Sequence, residues 1–290
     1  MENLRALRQR IRSVQNTQKI TKAMQMVAGA KLRRMQGELT GFKPYAQRLE
    51  AITKKFLAVQ PGLQHPLLTG GPSANSGQEA PPVGLLLITS DTGLCGTYNE
   101  RVISAAAKFM LEFPSAKVKV VAIGRKGNRS FTRRGIARSR EILDWGGRYD
   151  SKTTHEFVLW MQKSYLDGEV SAWYVAYTQF ISALSWKPTL ERILPLEYSA
   201  AGGSDEKLLI EPEAPELADI ILKRYMEAGM TRILLEAFTA EHSARMIAMK
   251  NATENATEMI STLTLVRNKA RQASITKELL EVVSGAEALK

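Results

Sequence analysis

Residues 90–100, SDTGLCGTYNE, come nearest to ligand chemistry in this 290-residue chain. They follow an apolar run and precede a helical pattern, and glycines in that position can cradle a phosphate at a helix N-terminus. The spacing, however, is Gly93-x-x-Gly96, which is not G-x-G-x-x-G, and no G-x-x-x-x-G-K-[ST] occurs anywhere. The stretch therefore reads as a tight strand-to-helix turn. Cys95 sits where a helix dipole could lower a thiol pKa, but no histidine is near it in sequence, and a small buried residue is the simpler reading. His65, His155 and His242 are scattered. His155-Glu156 lacks the second histidine that a zinc site on a helix needs. The residues thus predict no catalytic machinery, no cofactor, no metal and no small-molecule substrate. An enzyme would need a pocket with convergent polar groups in the middle of the chain.

The elements around this turn are more telling. Leu4, Leu7, Ile11, Val14, Gln18, Thr21, Gln25, Ala28, Leu32, Met35, Leu39, Phe42, Ala46, Leu49, Thr53 and Phe56 alternate spacings of three and four. Met249, Ala252, Ala256, Met259, Leu263, Val266, Ala270, Ala273, Lys277 and Leu280 do the same. Such alternation keeps one seam facing a partner helix, as in a coiled coil. Two seams at opposite ends of one chain predict an antiparallel pair. The small residues Ala252, Ala256, Ala270 and Ala273 would let the backbones approach closely. The centre of the first seam is polar at Gln18, Thr21 and Gln25.

Between the seams the pattern changes. Residues 60–82 are rich in Pro, Gly and Ser and read as a loose surface linker. Val83–Ser90 is a continuous apolar run, as in a buried parallel strand. A helix follows at 97–112, a strand at 117–124 and a helix at 152–166. Strands at 169–180 and 186–197 suggest an antiparallel pair, and 199–206 is a loop. This order predicts an α/β, Rossmann-like central domain. The expected domains are an N-terminal coiled-coil helix at 1–58, a linker at 59–82, an α/β domain at 83–212 and a C-terminal coiled-coil helix at 213–290. Gly29, Gly37, Gly41 and Pro44 should interrupt the first helix, with Pro44 kinking or breaking it. The last helix should start near Pro215, where proline suits a first turn, and run to about Ser284.

Composition limits the function. The chain is 44% apolar, enough for a normal core, and no apolar run is long enough to span a membrane. The start MENLRALRQR lacks the apolar stretch of a secretory signal. One cysteine rules out a disulfide within the chain. The net charge of +11 is uneven, with 13 Lys or Arg and 3 Glu in residues 1–60, and seven Arg or Lys without an acid in residues 125–140. A basic rod suits nucleic acid, anionic lipid or an acidic protein sleeve. Nucleic acid is the alternative reading, although these stretches lack interleaved aromatics and any nucleic-acid motif.

Four segments then carry a resemblance. Residues 11–36, IRSVQNTQKITKAMQMVAGAKLRRMQ, resemble the N-terminal helix of the gamma subunit of rotary F-type ATP synthases. SDTGLCGTYN resembles that family's SD-x-GLCG-x-x-N turn, with Thr92 and Thr97 in place of the usual Arg and Gly. Residues 243–256, SARMIAMKNATENA, and 265–285, LVRNKARQASITKELLEVVSG, resemble its C-terminal signature. The resemblance implies a central rotor shaft: a coiled coil inside a ring of alpha and beta subunits, and an α/β foot on the epsilon subunit and the membrane ring of c subunits. Catalysis would belong to the beta subunits, with no nucleic-acid partner. It implies that Lys22 and Met24 lie near an acidic lever loop of beta, and that Arg271, Gln272 and Thr276 face its catch loop. The seam residues would be Leu7, Ile11, Val14, Leu32, Met35, Ala256, Met259, Leu263, Val266 and Ala270.

The last helix should also outrun its partner. Ile275, Leu279, Leu280, Val282 and Val283 are apolar around more than one face, which suits an apolar bearing of alpha and beta subunits. The basic tract 125–140 should belong to the foot. The implied location is peripheral, on the cytoplasmic face of a bacterial plasma membrane, with the matrix side of the mitochondrial inner membrane as the alternative.

Overall fold

A computed structural model describes residues 4–60, 62–69, 81–113, 118–136, 138–196, 210–211 and 213–287. The elements, in chain order, are α1 (Leu4–Val59), α2 (Pro66–Thr69), β1 (Val83–Ile88), α3 (Tyr98–Met110), β2 (Val118–Ile123), α4 (Arg125–Arg133), β3 (Arg138–Ile142), α5 (Ser151–Leu166), β4 (Ala172–Ser182), β5 (Ser185–Leu194) and α6 (Ala214–Glu287). Among the described residues no helix is long and apolar enough to cross a membrane. The chain forms two compact units, Met1–Ala28 with Arg245–Lys290, and Gly29–Ala244.

The first unit is an antiparallel helical hairpin. Leu7, Ile11 and Leu263 form its buried cluster, with Val14 and Ala270 packed against them. Higher positions on one helix meet lower positions on the other, since Gln18 bonds Thr257 while Thr21 bonds Thr253.

The second unit is built on a five-stranded sheet in the order β3-β2-β1-β4-β5. β1 pairs in parallel with β2 and β4, β2 with β3, and β4 pairs antiparallel with β5. The apolar run of β1 is buried because both faces are covered. On one face Leu85, Leu87 and Val120 pack on Val102, Ile103 and Phe109 of α3 and Phe131 of α4. On the other face Leu86, Ile88, Val121 and Val175 pack on Phe157 and Met161 of α5 and Met230, Leu234 and Phe238 of α6. Met35, Phe56 and Leu57 of α1 join that second core. Glycine is required at position 84, where a Cβ would lie 2.5 Å from the ring of Trp173.

Several sequence expectations change. Pro44 does not break α1, which runs on to Val59. Pro44 and Thr40 are both exposed, so the Thr40 carbonyl, deprived of an N–H donor, can turn to water. The linker starts as ordered structure: Leu67 in α2 is fully buried, and its carbonyl accepts from Leu196 N at 2.8 Å. Residues 61 and 70–80 of that linker lie outside the described residues, as does the loop 199–206. The basic tract holds a helix and a strand, α4 and β3, where no element was expected. Whereas the sequence divides the chain at 58, 82 and 212, the compact units divide within the long helices. The reason is that the parts of α1 and α6 between Gly29 and Ala244 bury apolar side chains in the sheet core.

Candidate functional site

In a sheet of this strand order, the crevice outside the carboxyl ends of β1 and β4 is where ligands bind. Here α6 occupies it. Cys95 and Tyr98, from the turn after β1, form one buried cluster with Ala240 and Ala244 of α6, and Phe180 and Trp186 pack against it. The Tyr98 hydroxyl donates to the Ala237 carbonyl at 3.0 Å. Ser243 donates to the carbonyl of Ala183 between β4 and β5. The small side chains of Ala240 and Ala244 allow this approach. A helix fills the space a nucleotide would take in a dinucleotide-binding sheet.

The turn is also closed on itself. Asn99 accepts from the Ser90 backbone N–H at 2.9 Å, and its amide reaches Cys95 Sγ at 3.1 Å. Cys95 is buried and forms no disulfide. Asp91 ties the neighbouring strands together. One carboxylate oxygen accepts the N–H of Arg125 at 3.1 Å and of Asp144 at 3.2 Å. The other accepts the N–H of Gly146 at 2.8 Å. Arg125 also pairs with Asp144. The SD-x-GLCG pattern is therefore an anchorage for α6 and for the ends of three strands. Glycine is required again at position 124, where φ is +92° and a Cβ would collide with the Thr89 carbonyl.

The three histidines are structural as well. His242 is buried and bonds the Gly147 carbonyl at 2.9 Å. His155 pairs with Glu227 at 2.8 Å, and His65 lies 3.5 Å from Asp219. Among the described residues no three His, Cys, Asp or Glu side chains group as a metal site would need. A groove of about 1000 Å³ opens beside α1, β5 and α6, lined by Phe42, Leu190, Tyr225, Arg232 and Glu236 among others. Within it Arg232 pairs with Glu191 and Glu236, and the buried Oε2 atom of Glu236 has no hydrogen-bond partner.

In the hairpin unit the sheltered α1 positions are Leu4, Leu7, Ile11, Val14, Gln18, Thr21, Met24, Gln25 and Ala28. On α6 the sheltered positions include Met249, Thr253, Ala256, Ile260, Leu263, Arg267 and Ala270. That differs from the sequence reading. Met259 is 48% exposed and Val266 41% exposed, so neither lies in the seam. Ile260 and Arg267, one residue later, take their places, and Thr253 enters beside Ala252 because its hydroxyl meets that of Thr21 at 2.8 Å. The only available signal was polar complementarity, a threonine opposite a threonine and Gln18 opposite Thr257. Leu32 and Met35 are buried within the sheet unit, not the hairpin.

Of the remaining expected contact residues, Lys22 is exposed, whereas Met24 is half-buried among the sheltered α1 positions. From Arg271 to Gly285 every residue except Ser274 is exposed, including Gln272 and Thr276. Ile275, Leu279, Leu280, Val282 and Val283 are 49–70% exposed. Ala270 still packs on the Leu7 cluster. Beyond it α6 has no described partner helix. The basic side chains of α4 at Arg129, Arg133 and Arg134 face solvent within the sheet unit.

A helical hairpin with an exposed apolar end, joined to an open sheet whose ligand crevice is filled by its own helix, describes a mechanical element. The comparisons agree. The family model described as ATP synthase matches residues 3–289. The chain is 39% identical over 292 residues to the ATP synthase gamma chain of Pelotomaculum thermopropionicum, covering 100% of both. It is 40% identical over 291 residues to that of Desulfitobacterium hafniense, again covering 100% of both. The chain belongs to the ATP synthase gamma-chain family. Its fold is shared with the rotor of the Euglena gracilis mitochondrial ATP synthase, at TM-score 0.66 and 18% identity, covering 94% of this chain and 98% of that one. It is shared also with the central stalk of the Tetrahymena thermophila enzyme, at TM-score 0.61 and 21% identity, covering 80% and 99%.

Proposed function

We propose that the chain is the central rotor shaft of a proton-translocating ATP synthase. It couples rotation of a membrane c ring to ATP synthesis or hydrolysis in a surrounding ring of alpha and beta subunits. The observation that carries this is the hairpin: an antiparallel seam with a polar layer at its centre and an end whose apolar side chains no described element covers. An intramolecular seam transmits torque by packing. An exposed apolar end suits a sleeve, since non-directional contacts hold an axis without fixing its angle. Lys22 and Met24 are assigned to a beta lever loop, and Arg271, Gln272 and Thr276 to its catch loop. Leu279, Leu280 and Val283 are assigned to the bearing. The sheet unit, with the basic tract 125–140, is assigned to the foot that meets the epsilon subunit and the c ring.

The chain itself is non-catalytic in this reading, and the filled crevice supports that. It is a peripheral subunit on the cytoplasmic face of a bacterial plasma membrane. Two measurements test the reading together. The chain should co-purify with alpha, beta and epsilon subunits, and the purified chain should show no tight, stoichiometric ATP binding by titration calorimetry. Tight binding by the chain alone, or failure to assemble with alpha and beta, overturns it.

A further inference from the structure

We propose that Arg232 is the positioning residue that locks α6 against rolling on the sheet, so that torque passes between the sheet unit and the shaft. The proposal rests on the rotor reading. α6 lies on the sheet through apolar and flexible side chains, among them Met226, Met230, Leu234 and Phe238. Such packing resists separation but is non-directional, and methionine adapts readily to a shifted neighbour. A helix under torque can roll on that surface unless directional bonds hold it.

Arg232 supplies the strongest such bonds. Its guanidinium bonds Glu191 of β5 and, at 3.3 Å, the Tyr177 hydroxyl of β4. It also reaches Glu236, one turn further along α6, at 3.3 Å. The Tyr177 hydroxyl donates to the second oxygen of Glu191 at 3.0 Å, closing a ring of three residues over two strands and the helix. Tyr177 and Glu191 stand on one face of the sheet, because Tyr177 pairs with Thr189, two residues from Glu191. Tyr177 is fully buried, and the side chains of Arg232 and Glu191 are only about a third exposed. Burial opposes the charge on Arg232, but Glu191, Tyr177 and Glu236 outweigh it and raise its pKa, so the link stays ionised.

Several other ties between α6 and the rest of this unit are weaker. Tyr98 and Ser243 make neutral hydrogen bonds, the Thr231 and Tyr149 hydroxyls meet at 3.4 Å, and the His242 ring bonds the Gly147 carbonyl. His155 is half-exposed, and both it and His65 are charged only when protonated. A charge-assisted, forked contact is about twice as strong as a neutral one.

The test uses the assembled enzyme, with the alpha–beta ring fixed and a probe on the sheet unit. Thermal angular fluctuation of the probe reports torsional stiffness. Arg232→Met keeps the bulk and removes the charge. Its angular variance should rise about twofold, since a charged link about twice as strong as a neutral one is lost while the neutral bonds of Tyr98, Ser243 and His242 remain. Unloaded ATP hydrolysis should stay at the wild-type rate, while protons pumped per ATP fall. Arg232→Lys, which keeps the charge and loses the fork, should lie between. Unchanged variance in Arg232→Met overturns the proposal. Should that variant fail to assemble, Glu191→Gln decides by the same readout, and unchanged variance again overturns it. If the wild-type probe does not turn under ATP, the rotor reading fails and not the lock.

Discussion

The side-chain amide of Gln18 donates to the hydroxyl of Thr257 at 2.7 Å, across 239 residues of sequence. With the Thr21–Thr253 contact it forms a polar layer in the seam, beside the apolar cluster of Leu7, Ile11 and Leu263. Polar layers of this kind select register at some cost in stability. A double-mutant cycle of Gln18→Ala and Thr257→Val should give a coupling of about 0.5 kcal/mol, the low end for a solvent-accessible bond. Urea unfolding of the four proteins measures it. Zero coupling would show that the bond does not set the register.

Leu263 and Met259 separate the observed seam from the one the alternation suggests. Leu263 is 9% exposed and packs on Leu7 and Ile11, whereas Met259 is 48% exposed. Leu263→Asp buries an unpaired charge and should cost on the order of 3 kcal/mol, with loss of assembled, coupled enzyme. Met259→Asp should leave hairpin stability within about 0.5 kcal/mol of wild type. Equal losses in the two variants would place both residues in the seam.

Asp91 holds three backbone N–H groups, one from the start of α4 and two from the loop after β3. Asp91→Ala leaves them without that acceptor and should cost about 2 kcal/mol. Hydrogen exchange at the Gly146 amide should accelerate. Unaltered exchange there would mean the carboxylate is not the clamp.

Glu236 carries a pH dependence with an unusual sign. Burial raises its pKa, and Arg232 only partly opposes this. The folded state therefore disfavours the ionised form. Stability is greatest below the ordinary glutamate value and falls as pH rises through the raised one. Glu236→Gln should melt with the wild type near about pH 4 and at a higher temperature near about pH 8. Thermal scans at the two pH values check this, and an equal offset at both would exclude the charge as its cause.

Between Ile275 and Val283 the end of α6 exposes the apolar side chains of Ile275, Leu279, Leu280, Val282 and Val283. Truncation after Thr276 should loosen assembly and lower the heat resistance of the complex, while unloaded rotation persists. Truncated complexes that assemble and resist heat as well as full-length ones would mean that the tip is not a bearing.

What could be read from the chain alone was local periodicity. On α1 every position on the spacing of three and four from Leu4 to Met35 is sheltered, with Met24, Gly29 and Lys31 sheltered beside them, because heptad position and burial coincide on a helix with polar flanks. The apolar run of β1 and the absent phosphate-binding spacing were equally plain. On α6 the pattern was ambiguous, since Met259 and Ile260 are both apolar and adjacent. Only the partner helix chose between them, through contacts more than 200 residues apart in sequence. The same holds for Pro44, whose helix survives because its orphaned carbonyl can reach water. It holds for α4 and β3, hidden in a tract whose charges mask its buried Phe131. It holds most for Arg232, Tyr177 and Glu191, which form no sequence motif. They meet because the pairing of β4 with β5 and the seating of α6 on the sheet bring three distant positions to one point.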